Sequence, residues 1–126
     1  VEVIVKLHPA GVGESATFLS PYADRIVSGP FDPLQWDIDC FIFDFAGTAF
    51  FDAVATQTPI ILADMTVRPF DESTKRDLAT RCNIMPCLID ERGRFRVTTN
   101  NLTRALEAAP AISEFPTTFY DRYLGA

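Results

Sequence analysis

Apolar and polar positions along the chain fall into short blocks that switch between a period of two and a period near 3.6. Val3-Ile4-Val5-Lys6-Leu7 is a β-branched run that predicts a strand. His8-Pro9 ends it, and Gly11 and Gly13 predict a loop. Ile26-Val27 predicts a short strand closed by Ser28-Gly29-Pro30, and Pro30 and Pro33 predict a loop from Phe31 to Asp37 around Trp36. Cys40-Phe41-Ile42-Phe43, bounded by Asp39 and Asp44, has the continuous apolar character of a strand buried on both faces of a parallel sheet. Phe50, Phe51, Val54 and Ala55 share one face of a helix predicted from Thr48 to Thr56. Pro59 then opens a buried strand, Ile60-Ile61-Leu62-Ala63, as proline can at a strand's first residue.

The second half continues the alternation. Asp71-Glu72 at one end and Lys75, Arg76 and Arg81 further along suit the dipole of a helix running to Arg81. Ile84 to Ile89 predicts a strand that Pro86 confines to an edge or bulge, and Asp90-Glu91-Arg92-Gly93 predicts a turn into Phe95-Arg96-Val97. Asn101 is the expected cap of a helix whose Leu102, Ala105, Leu106 and Ala109 recur at i, i+3, i+4 and i+7. A last helix is expected within Phe115 to Leu124. Strands alternating with helices predict an α/β fold: one Rossmann-like three-layer domain over residues 1–126, with a mostly parallel sheet of five to six strands.

Composition narrows the function classes. Apolar residues make up 48%, enough for a core, and no stretch approaches the roughly 20 apolar residues of a membrane span. Eleven Lys and Arg against seventeen Asp and Glu give a formal charge of −6, which opposes bulk nucleic-acid binding. Of the three cysteines, Cys40 sits in an apolar run and reads as core, while Cys82 and Cys87 are too few for a zinc site. All three are expected to be reduced thiols in a cytoplasmic protein. The chain opens at Val1 inside a strand, so it is expected to be a C-terminal fragment of a larger two-domain protein.

In parallel sheets, ligands bind beyond the carboxyl ends of the strands. Two segments with chemical potential fall there: Lys6-Leu7-His8-Pro9 and Asp44-Phe45-Ala46-Gly47-Thr48. The first turn of a helix leaves backbone N–H groups unpaired at its positive end, Gly47 would let an anion approach the backbone, and the Thr48 hydroxyl can donate to a phosphate oxygen. The plainer alternative makes Gly47 a turn residue and Thr48 an N-cap. His8, the one imidazole, is expected to face the same crevice as an anchor or acid. Arg92, Arg94 and Arg96 alternate along a short arm and read as a solvated face.

Leu7-His8-Pro9, then Asp39 to Thr48, Phe51-Asp52, and Thr58-Pro59-Ile60-Ile61-Leu62 follow one another as in a known family. Over about residues 1 to 64 the chain resembles the carboxyl-terminal domain of GT-B transferases, in particular the CDP-glycerol glycerophosphotransferase-like enzymes of bacterial surface polymers. The resemblance implies a CDP- or UDP-linked donor held between two Rossmann-like domains, with no metal or other cofactor. His8, Gly47 and Thr48 would face the donor's phosphates, with His8 catalytic, Asp44 orienting the turn and Asp52 reaching a ribose hydroxyl. It implies a missing amino-terminal domain, on which the tail aromatics Phe115, Phe119, Tyr120 and Tyr123 would pack. It further implies a cytoplasmic location at the inner face of the membrane, reached through the full-length protein. The chain departs from the family at Ala46-Gly47-Thr48, where two serines are usual.

Phe41-Ile42-Phe43-Asp44-Phe45-Ala46-Gly47-Thr48 also resembles the first motif of haloacid dehalogenase-like phosphatases and phosphonatases, in which the leading Asp is the nucleophile. That alternative would make Asp44 catalytic. The length and Asp44 also fit a receiver-like signalling domain, although such domains carry an acidic pair after the first strand, where this chain has His8-Pro9.

Overall fold

Ile4–Lys6 (β1) and Arg25–Val27 (β2) lie side by side in parallel, with Ile4 opposite Arg25 and Lys6 opposite Val27. The Leu7 N–H extends the ladder to the Val27 carbonyl at 3.0 Å. The computed structural model describes residues 1–8, 12–65, 70–108 and 121–123, which fall into two compact units, Val1–Asp32 and Pro33–Ala126. In the first unit a parallel pair needs a crossover, and the link is helical: α1 (Val12–Leu19), then a 3₁₀ turn over Ser20–Tyr22. This corrects the loop expected at Gly13, while Gly11 lies outside the described residues. Ala16 and Leu19, three apart and half-buried, share one face of the helix, which accommodates the ~1 kcal/mol that one helical glycine costs.

The second unit is built on three parallel strands in the order β3 (Phe41–Phe43), β4 (Ile60–Asp64), β5 (Asn83–Pro86). Helix α2 (Thr48–Val54) joins the first two and α3 (Glu72–Ala79) the next two. Ile60, Ile61, Leu62 and Ala63 are all buried, as a central strand covered on both faces requires. Neighbours in register share a face. Phe43 stands beside Leu62, and its ring meets Phe50 of α2 edge-on at 5.6 Å, so α2 covers that face. The opposite face carries Ile61, Ala63, Met85 and Cys87, closed by Ala105 of α4 (Thr99–Ala108). Beyond β5, Leu88–Ile89 (β6) and Phe95–Arg96 (β7) form an antiparallel hairpin, whose Gly93 takes the left-handed φ of +72° that its turn demands.

The fold is therefore mixed α/β with parallel sheets. The described residues form sheets of two, three and two strands, in place of one sheet of five to six. Three local expectations also change. β3 is an edge strand, and Ile42 is 54% exposed because α4 packs along β5 at the opposite edge. The run from Ile84 to Ile89 breaks at Cys87 into β5 and the hairpin. Thr98, not Asn101, caps α4, its hydroxyl accepting from the Asn101 N–H at 3.1 Å. The tail expectation falls outside the described residues at Phe115, Phe119 and Tyr120. Residues 121–123 are helical, and Tyr123 donates to Asp77 of α3 at 2.9 Å, so it packs on its own unit.

Candidate functional site

β3 runs out at Asp44, and a turn through Phe45, Ala46 and Gly47 feeds α2. Asp44, Phe45 and Thr48 are all exposed there. Gly47 is the N-cap and Thr48 the first helical residue, so the expected capping role of Thr48 does not hold, and no side chain caps the helix. The first-turn N–H groups therefore have no side-chain partner, the condition under which a helix tip accepts an anion. Asp52 lies one turn beyond Thr48, on the same face of α2, and is exposed. The two are ~6 Å apart along the axis.

Two details restrict what the tip can bind. Gly47 has an ordinary φ of −99°, so its backbone does not require glycine. A Cβ there would instead lie 2.7 Å from a ring carbon of Phe45, because that exposed ring folds back over the glycine. A ligand approaching Gly47 from that side has to displace Phe45. In addition, no Lys or Arg occurs between Arg25 and Arg68, a span holding Asp32, Asp37, Asp39, Asp44, Asp52 and Asp64. Lys75 of α3 reaches the end of β4, where its Nζ lies 3.6 Å from Asp64 Oδ2. His8 is exposed at the end of β1 in the first unit, whereas Asp44, Gly47, Thr48 and Asp52 belong to the second.

No family model, curated protein or solved structure matches the chain. Among the described residues no group of three His, Cys, Asp or Glu side chains is placed to hold a metal ion, and no helix is long and apolar enough to cross a membrane.

One residue that supports the site escaped sequence reasoning. Arg81, 1% exposed, follows α3 and sends its guanidinium under α2. Its Nε donates to the Val54 carbonyl at 3.0 Å, and its Nη2 to the carbonyls of Thr56 at 2.7 Å, Thr58 at 3.0 Å and Ala53 at 3.3 Å. These are the last carbonyls of α2 and those of the turn into β4, where a helix carries its negative end. The sequence pattern suggested only a basic residue near the end of its own helix. Its true partners lie 23 to 28 residues earlier, a separation at which periodicity carries no information.

The cysteines are free thiols. Burial pushes Cys82 up to about 12, the nearby Arg81 charge opposing it, and burial with a smaller contribution from Asp39 raises Cys40. Cys87 is raised by burial and by Asp64. Their environments disfavour the thiolate, the form that attacks electrophiles or binds metals.

Proposed function

We propose that the chain is the Rossmann-like donor-binding domain of a GT-B-like transferase, which moves a sugar or polyol-phosphate from a nucleotide-diphosphate donor. The observation that carries this reading is the exposed tip of α2, without a side-chain cap, at the carboxyl end of a parallel strand. The donor's diphosphate would sit at the Thr48 end, with Asp52 one turn along the same face for a ribose hydroxyl. As the leaving group gains charge, the helix N–H groups and the Thr48 hydroxyl would stabilise it. The span from Ile26 to Val67 holds no Lys or Arg, so from within it the phosphates would be met by these fixed dipoles. His8 enters through the likeness of Leu7-His8-Pro9 to the transferase motif, as a phosphate anchor or acid.

Titration calorimetry with CDP and UDP tests this. Thr48→Ala is expected to cost about 1 kcal/mol, roughly fivefold in affinity, and His8→Ala a similar amount. Unchanged affinity in both, or no binding by the parent, overturns the assignment. Asp44→Asn separates this reading from the phosphatase one. The transferase reading expects no hydrolysis of p-nitrophenyl phosphate by the parent. A parent that turns over and an inactive Asp44→Asn would make Asp44 a nucleophile instead.

A further inference from the structure

The β6–β7 hairpin gathers three arginines on one small scaffold. Leu88 stands opposite Arg96 in its ladder, and side chains two apart along a strand share a face, so Leu88, Asp90, Arg94 and Arg96 line one side of the arm. Phe95 points to the other side and packs against the core cluster, so the Leu88 side is turned away from the core. That outer side is open: Leu88 is 56% exposed, and the side chains of Arg94 and Arg96 are 54% and 58% exposed. Arg92, at the tip, is exposed as well.

Asp90 holds these groups in place. Its Oδ1 accepts from the backbone N–H groups of Arg92 and Arg94, both at 2.9 Å. Its Oδ2 accepts from Nε of Arg94 at 3.1 Å and of Arg96 at 3.0 Å. Two long side chains are thereby fixed through Nε, and the Nη1–Nη2 end of each guanidinium remains for another partner. That end makes two parallel N–H···O bonds to a carboxylate. Fixing the side chains in advance reduces the rotamer entropy that binding would otherwise cost. Arg94 and Arg96 lie two residues apart on an extended arm, ~7 Å, which is also the spacing of side chains i and i+2 in an extended peptide.

The charge distribution limits the size of the partner. On the arm Arg92, Arg94 and Arg96 outnumber Asp90 and Glu91, whereas the chain as a whole carries −6. An anionic bilayer or a nucleic-acid duplex is broad enough to meet that net negative charge. A ligand confined to the arm meets the arginines, because screening limits the reach of more distant charges to about 8 Å. Leu88 beside the guanidiniums favours an apolar group as well, which a bare phosphate lacks. We propose that the outer side of the β6–β7 arm docks a short, extended acidic segment of a partner protein, with carboxylates at i and i+2 on Arg94 and Arg96 and an aliphatic side chain on Leu88.

Fluorescence anisotropy of the 126-residue chain without nucleotide tests this, independently of the donor proposal. The probe is a fluorescein-labelled peptide of two Glu-Ser-Glu-Ser-Leu-Ser repeats, and its control carries Gln for Glu. Saturable binding of the acidic peptide is expected at about 50 mM salt, weakening as salt rises to about 500 mM. The control peptide is expected to bind at least about tenfold more weakly, and Arg94→Gln/Arg96→Gln to lose a similar factor for the acidic one. Leu88→Ser changes an exposed side chain, so it should keep the parent's urea midpoint while losing about threefold in affinity. Arg76→Gln, at an exposed arginine of α3, should lose nothing. No binding of the acidic peptide, equal binding of both peptides, full affinity in Arg94→Gln/Arg96→Gln or in Leu88→Ser, or a comparable loss in Arg76→Gln overturns the proposal. So does a parent that ignores the peptide and co-sediments with phosphatidylglycerol vesicles.

Discussion

The guanidinium of Arg81 reaches the Val54 carbonyl at 3.0 Å and closes the end of α2 from inside the fold. A buried guanidinium held by carbonyls replaces the water that those carbonyls would otherwise need. Removing it leaves several buried acceptors unmet. Arg81→Met is expected to destabilise the second unit by about 3 kcal/mol or more, read from urea unfolding followed by Trp36 fluorescence. Arg81→Lys should recover only part of the loss, since a point charge cannot span carbonyls from Ala53 to Thr58. Equal stability of Arg81→Met and the parent would mean that the clasp is not needed.

Asp71 caps α3, its carboxylate accepting from the Thr74 N–H at 2.7 Å. That backbone hydrogen bond is the chief reason its carboxyl lies below the usual carboxylate range. A group depressed in the folded state stabilises fully above its ordinary value near 4 and loses that contribution as pH falls through the lower folded value. Asp71→Ala should therefore lower the urea midpoint at pH 7, and its gap to the parent should narrow as pH falls below about 4 and the carboxyl takes up its proton.

Cys82 should resist alkylation by iodoacetamide at pH 8 in the folded protein and react once urea unfolds it. Its burial and a pKa pushed up to about 12 both suppress the thiolate. Cys40, half-buried at the start of β3, should react ahead of it. Peptide mass mapping after brief labelling distinguishes the two sites, and early loss of Cys82 would show that the α3–β5 junction opens readily.

Gly47→Ala tests whether Phe45 or the backbone demands the glycine. With φ at −99° an alanine is allowed, and the clash is with an exposed ring that can swing away. The substitution is expected to cost less than ~1 kcal/mol, and Phe45→Ala in the same background should remove most of the loss. A large loss in the double variant would place the constraint in the backbone.

Much of the second unit was legible because its signals are local. Pro59 before a continuous apolar run announces β4, and Asp71-Glu72 announces α3. The proline of β5 sits, as its missing N–H requires, in an edge strand. What was not legible depends on neighbours distant in sequence. The apolar run of β3 reads like β4, and only the placement of α4 over β5 leaves Ile42 uncovered. Gly13 masked α1 because glycine is weighted as a breaker, although the parallel pairing of β1 with β2 calls for a crossover. At the candidate site, the Asp44–Thr48 turn was recognisable as a strand-to-helix junction, but the Phe45 ring over Gly47 was not, since a side chain folding back leaves no trace in spacing.

Asp77 accepts from both Arg122 and Tyr123, residues 45 and 46 positions downstream. One carboxylate on α3 thus acts as the buckle for the end of the chain. Trimming the protein before Asp121 would unfasten it, and amide exchange should quicken first along Glu72–Ala79 while the β4 ladder keeps its protection.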